Sequence, residues 1–227
     1  MKRILTIGLV LLLAMGAIYA VYALDNVANT KHNLSSSGTG SYKTSSTTDI
    51  CVFCHTPHNA STTQKPLWNR SDSPAFTANN YAMYTSATMN MTVQTQPKGV
   101  SLACLSCHDG LVAFDSLLNR PGSGTSTTLM NWAGGLGNKI LNTSTAYLGS
   151  DLTNDHPISI TYNVSQDGAF NAIVSGKVGN LPLYDLAVGS KNQVECGSCH
   201  NPHDSTYGTF LRASNAGSAL CLKCHIK

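Results

Sequence analysis

Every cysteine of this 227-residue chain falls into one repeated pattern. Cys51-Cys54-His55, Cys104-Cys107-His108, Cys196-Cys199-His200 and Cys221-Cys224-His225 are four copies of C-x-x-C-H, and no cysteine is left over. A disulfide framework does not need a histidine after each pair, and neither does a redox C-x-x-C or a zinc ribbon. A covalently attached c-type haem needs all three residues. The two thiols add across the porphyrin vinyl groups, two intervening residues let one helical turn reach both, and the next residue lies against the iron. The spacing therefore predicts four haems held by thioethers at all eight cysteines, with His55, His108, His200 and His225 as proximal iron ligands.

The amino terminus carries a separate signal. Lys2 and Arg3 precede an apolar run from Ile4 to Ile18, and Val21-Tyr22-Ala23 offers a small-residue site before Leu24. This is the plan of a secretory signal peptide over residues 1–23; an uncleaved anchor is the alternative, for which the run is short. The mature chain is expected to be exported, to the cell surface or beyond it, or alternatively to the periplasm. Net charge is +3, falling to +1 without Lys2 and Arg3, and 11% of residues are charged. That balance gives no basic face for nucleic acid. Ser, Thr, Asn and Gly abound and apolar periodicity is weak, so side chains alone would build a poor core. The expected fold is a multihaem cytochrome c: mostly coil, with short α-helices at the haem motifs, few small strands, and a core formed by four stacked haems.

The motifs come in two types, and the order of types recurs. CVFCHTPHN (51–59) matches CGSCHNPHD (196–204), and SLACLSCH (101–108) matches SALCLKCH (218–225). Upstream of each set, HNLS from His32 resembles HPIS from His156. A doubled order of three elements argues for duplication. The halves are a first dihaem repeat over 24–120 and a second over 126–227, with the linker 121–125 inside the turn-rich RPGSGTST stretch (120–127). Neither half could cover its porphyrins alone, so one fused body is expected.

Of 8 histidines, four are proximal, leaving His32, His58, His156 and His203 as distal iron ligands. Four six-coordinate irons need four, so the count closes, and it closes within each half. His58 cannot circle back to the iron held by His55. On a helix it would face nearly the same way, so it is expected to reach an adjacent haem, as is His203 beside His200. Methionine is the other possible distal ligand. Met83, Met89, Met91 and Met130 have no counterparts in the second half, which favours packing roles and leaves His/Met ligation of one haem open. Trp68, Tyr81, Tyr84, Trp132 and Tyr184 are candidates to lie on porphyrin faces. Asp109, Asp204 and Glu195 are expected to hold imidazole N–H groups or tune potential. There is no nucleophile triad, no phosphate loop and no C-x-x-C-K. Iron gripped by two imidazoles has no vacant position for a substrate and a lower potential than His/Met iron. The expectation is an electron carrier and not an enzyme. A monomeric periplasmic electron shuttle and a multihaem oxidoreductase with one open haem are the alternatives.

DICVFCHTPHN, PLWNR (66–70), YAMYTSATM (81–89) and CGSCHNPH resemble the doubled C-x-x-C-H multihaem cytochromes of metal-reducing bacteria, especially the tetrahaem outer-surface cytochromes that polymerise into extracellular nanowires. The likeness covers most of the mature chain through strong motifs and diffuse spacers. It implies a loop-rich fold, a continuous haem chain, and extracellular electron transfer to metal oxides or other external acceptors, with other multihaem cytochromes as electron donors. It also implies a head-to-tail polymer of the chain with itself, in which a histidine of one subunit completes a haem of its neighbour. By position, His32 is the expected inter-subunit ligand, because SSSGTGS (35–41) after it reads as a flexible arm; His156 is the runner-up. A contact of that kind does not close and generates a helical filament.

Overall fold

A computed structural model describes residues 26–64, 66–121, 131–132, 137–185 and 191–226. The signal segment 1–23, Met130 and all of the 121–125 linker except Pro121 lie outside that set. Regular structure is sparse, as the composition leads one to expect. There are helices α1 (Pro74–Thr77), α2 (Gly99–His108) and α3 (Cys196–Cys199), and two-residue strands β1 (Ile160–Thr161), β2 (Lys177–Val178), β3 (Leu181–Pro182) and β4 (Gln193–Val194). β1 pairs antiparallel with β4, Ile160 opposite Val194, and β2 pairs with β3, Val178 opposite Leu181. No helix among the described residues is long and apolar enough to cross a membrane.

Two small apolar clusters form the side-chain core. One gathers Met91, Ile160, Tyr162, Val178 and Val194; the other gathers Ala75, Tyr81, Leu105 and Leu152. Each draws on both sides of the 121–125 linker, so the two halves of the sequence interleave. Between the clusters, polar side chains stand in for secondary structure. Asn33, fully buried, donates Nδ2 to Ala28 O at 2.9 Å and accepts at Oδ1 from the backbone N–H and hydroxyl of Ser35. Asn69, also fully buried, donates to Val52 O and Asn119 O at 2.7 and 2.6 Å. Such bonds satisfy buried carbonyls that a strand or helix would otherwise pair.

Among the described residues α2 is the one helix of about three turns. Leu102, Ala103 and Leu105 bury its inner face, and it stops at Asp109, followed by Gly110 at φ 71°. A Cβ at Gly110 would meet the Tyr147 ring at 2.5 Å and Ile140 O at 2.9 Å, so the left-handed turn there also serves a close approach. The matching stretch of the second half forms no such helix. Gly217 and Ser218, at φ 59° and 63°, break it into two 3-10 turns, Ala216–Ser218 and Cys221–Lys223.

The other motif pair is built alike in both halves. His55 and His200 each donate a backbone N–H to the carbonyl of the first cysteine of their motif, Cys51 or Cys196, at 2.8 and 3.0 Å. The chain then returns antiparallel, with bridges His55–Trp68 and His200–Leu211. Thr56 N–H donates to Leu67 O at 2.9 Å and Asn201 N–H to Phe210 O at 2.8 Å; Asn69 N–H donates to Cys54 O and Arg212 N–H to Cys199 O, both at 2.9 Å. Leu67 and Phe210 both sit at positive φ, 47° and 61°. This register equates Pro66-Leu67-Trp68-Asn69-Arg70 with Thr209-Phe210-Leu211-Arg212-Ala213.

Candidate haem sites

The returning strand positions the proximal imidazole. His55 Nδ1 lies 2.9 Å from Pro66 O, and His200 Nδ1 lies 2.9 Å from Thr209 O, the equivalent carbonyl. His108 Nδ1 is 2.7 Å from Ala146 O, His32 Nδ1 is 3.0 Å from Pro202 O, and His156 Nδ1 is 3.0 Å from Pro157 O. A carbonyl only accepts, so each Nδ1 carries the proton and donates it, which leaves the Nε2 lone pair available to a metal. Burial lowers the pKa of His32 to about 4 and lowers that of His108 as well, which keeps both rings neutral and ligand-competent.

Six of the eight histidines meet in three pairs. Ring centres are 6.2 Å apart for His32 and His108, 6.2 Å for His55 and His203, and 6.4 Å for His156 and His225, with interplanar angles of 84°, 32° and 78°. Two imidazoles on opposite sides of one metal have centres about 6.3 Å apart, given metal–nitrogen bonds of about 2 Å and about 1.1 Å from nitrogen to ring centre. All three pairs stand at that spacing, and each contains one C-x-x-C-H histidine and one of the four others. The donor set fits bis-histidine haem at Cys51/Cys54, Cys104/Cys107 and Cys221/Cys224.

His58 and His200 are the two left over. Both are exposed, and neither ring meets another aromatic ring among the described residues.

Several expectations need correction. His58 and His203 are not carried on helices: α3 ends at Cys199, His200 is extended at φ −112° and ψ 141°, and the turn Cys51–Phe53 ends before His55. The pairing does not stay within halves, since His203 faces His55. His32 and His156, the two candidates to leave the subunit, each face a motif histidine of their own chain. At His32, His55, His108, His156 and His200 the Nδ1 bond goes to a backbone carbonyl and not to a carboxylate. Asp109 instead accepts from Ser73, from Tyr81 at 2.7 Å and from the Leu111 N–H at 2.8 Å; Asp204 bonds Thr206, and Glu195 bonds Ser159. Of the proposed aromatic contacts, Trp68 donates Nε1 to Ser106 Oγ at 3.1 Å and meets the His55 ring edge-on, and Tyr184 donates to Gly197 O at 3.1 Å. Trp132 packs on Phe114 with ring centres 5.0 Å apart. Met83, Met89 and Met91 pack against the apolar clusters.

None of the eight cysteines is paired in a disulfide. Desolvation pushes Cys54 up to about 12 and Cys224 up to about 11, and raises Cys107 and Cys199. Thiols so held are poor nucleophiles and poor redox centres, and suit an apolar porphyrin edge. Their mutual influence also links the attachment sites. Cys54 feels Cys107, Cys104 is in contact with Cys196, and Cys199 feels Cys221. Each of the first three attachment motifs therefore has a cysteine of the following motif near it.

Comparison with known families agrees over the last part of the chain. Residues 189–227, which hold the Cys196 and Cys221 motifs, match the doubled CXXCH motif family. This stretch is a doubled CXXCH segment. With the two upstream copies, the chain carries four C-x-x-C-H motifs, a spacing consistent with a multihaem c-type cytochrome, and c-type haem is its cofactor. No curated protein matches the chain. The returning strands that supply Pro66 O and Thr209 O to it are a repeat element that sequence comparison passes over. Its carbonyls lie 11 residues after the proximal histidine in one half and 9 in the other, and only Leu67 and Phe210 hint at the match.

Proposed function

We propose that the cytochrome conducts electrons along four bis-histidine haems and polymerises head to tail, His58 of one subunit completing the haem attached beside His200 of the preceding one. The observation that carries this reading is a pairing rule. In both halves the H-x-[LI]-S histidine faces the C-L-x-C-H histidine of its own half: His32 with His108, His156 with His225. The x-P-H histidine of the second half faces the C-x-x-C-H histidine of the first, His203 with His55. Continued by one step, the rule sends the x-P-H histidine of a first half to His200 of a preceding second half. A second copy of the chain supplies that half, and a rule that never closes on itself builds a filament.

The haem supplies the one-electron couple. The chain holds it by thioethers, fixes five of the eight imidazoles through carbonyls and leaves no iron position for substrate, which suits electron transport over catalysis. Export by the 1–23 signal segment would place the polymer outside the cell, with multihaem cytochromes as donors and metal oxides as acceptors.

His58→Ala is expected to give soluble subunits in which one haem in four is five-coordinate and binds carbon monoxide, read by electron microscopy and optical spectra. His32→Ala should leave assembly intact. Filaments of His58→Ala indistinguishable from wild type would refute the assignment. A wild-type chain running as a monomer with four six-coordinate haems would refute the polymer while leaving electron transport standing.

A further inference from the structure

We infer that Arg70 is a fixed buried cation that raises the reduction potentials of the haems at Cys51/Cys54 and Cys104/Cys107 above those of the second half. Arg70 is fully buried, the largest side chain among the described residues to be so. Its Nε donates to Ser106 Oγ at 3.2 Å, Nη1 to Phe114 O at 2.9 Å, and Nη2 to Ser106 O at 3.0 Å and Ala113 O at 2.8 Å. Every acceptor is neutral. The buried carboxylates of the region make their hydrogen bonds elsewhere: Asp109 with Ser73, Tyr81 and Leu111, and Asp115 at Oδ1 with Asn138 Nδ2 at 2.9 Å, its Oδ2 having no hydrogen-bond partner. Four of the five guanidinium N–H groups are used, so no forked edge is left to clamp a further carboxylate. The charge is held in place and not cancelled by a contact partner.

Its position lies between two attachment turns. Ser106 stands between Cys104 and Cys107, and Asn69, next to Arg70, donates its N–H to Cys54 O at 2.9 Å. Reduction removes one positive charge from the iron centre, so a nearby cation favours the reduced state, and it does so most where water is excluded. The second half lacks this device. Ala213 occupies the position equivalent to Arg70, and Arg212, one place earlier, is only half-buried, its Nε donating to Gly197 O at 2.7 Å.

The test is an optical redox titration of the complete, haem-loaded protein as wild type, Arg70→Met and Arg70→Lys, with haem content measured by pyridine haemochrome. Arg70→Met should shift two of the four couples downward. At a fixed potential their reduced-to-oxidised ratio should fall about tenfold, which is about 59 mV for a one-electron couple. Arg70→Lys, which keeps the charge, should titrate close to wild type. Superimposable titrations of Arg70→Met and wild type would overturn the inference, as would Arg70→Lys shifting as far as Arg70→Met. Failure of both variants to load four haems would assign Arg70 to folding alone and overturn it too. The inference rests on haem attachment and not on assembly, so the outcome with His58→Ala leaves it untouched.

Discussion

A single buried carboxylate illustrates what individual residues must tolerate here. Glu195 is 1% exposed; one oxygen accepts from Ser159 Oγ at 3.1 Å, while the other, Oε1, has no partner. Burial pushes its pKa from 4.5 up to about 7. The fold therefore binds a proton that the unfolded chain has released between those values. The stability this contributes is complete below pH 4.5 and is lost as pH rises towards 7. A shift of this size corresponds to about 3 kcal/mol. Glu195→Gln should flatten that dependence, making the variant the more stable protein near pH 8 and not near pH 5. Urea unfolding at both pH values checks it, and parallel behaviour of the two proteins would show that Glu195 titrates normally. Glu195 was visible in the sequence only as an acid beside a haem motif. Its lack of a cation depends on Ser101, Ser159 and Ser198 converging from distant positions, which no local pattern encodes.

At the scale of elements, the contact of α2 with α3 joins the two halves of the haem chain. Ser101 Oγ accepts the Cys196 N–H at 2.9 Å, and Cys104 lies against Cys196. Gly197 allows this approach: a Cβ there would meet Tyr184 Oη at 2.6 Å and Val100 Cγ1 at 2.8 Å. Gly197→Ala should force α2 and α3 apart, lower stability by about 1–3 kcal/mol and slow electron exchange between the second and third haems. Chemical denaturation and flash-induced electron transfer measure the two effects; an unchanged unfolding midpoint would mean that the Tyr184 ring swings away at no cost. Elements were legible where they depend on covalent spacing. C-x-x-C-H locates every attachment turn, and the doubled order shows that the turns at Cys51 and Cys196 correspond. Legibility ended where the backbone takes left-handed values at ordinary residues, as at Leu67, Phe210 and Ser218. The strongest repeat, C-L-x-C-H, thus forms a helix in one half and broken 3-10 turns in the other. The weakest, H-x-[LI]-S, keeps the same partner in both, because the geometry of a shared metal is more demanding than that of the local backbone.

For the molecule as a whole, the question is how so little apolar side chain sustains one fold. The two buried clusters are small, while Leu67, Val174, Tyr207 and Ile226 stand 57%, 69%, 51% and 54% exposed. A porphyrin that removes about 400 Å² of apolar surface from water contributes about 10 kcal/mol, as much as the whole net stability of an ordinary domain. Each haem should therefore be indispensable to the region around it. The last site is the sharpest case. Cys224 packs on the cluster of Met91, Ile160, Tyr162, Val178 and Val194; its carbonyl accepts from Tyr162 Oη at 3.2 Å and from Asn171 N–H at 2.8 Å, and Phe170 stacks on His225. Replacing Cys221 and Cys224 together with alanine should release one haem in four, free His156 and His225, and melt this half of the protein. Near-ultraviolet circular dichroism should lose the Tyr162 signal, and proteolysis should cleave between residues 160 and 194 first. The first-half haems should keep their six-coordinate spectra, except that His55 needs His203 from beyond the melted region. If the chain around β1 and β4 loosens as far as residue 203, the haem at Cys51 will turn five-coordinate as well, and the spectrum will count two altered haems. A variant that keeps its near-ultraviolet signal with three haems bound would show that the side-chain clusters suffice alone, against the view that porphyrin burial sustains the fold.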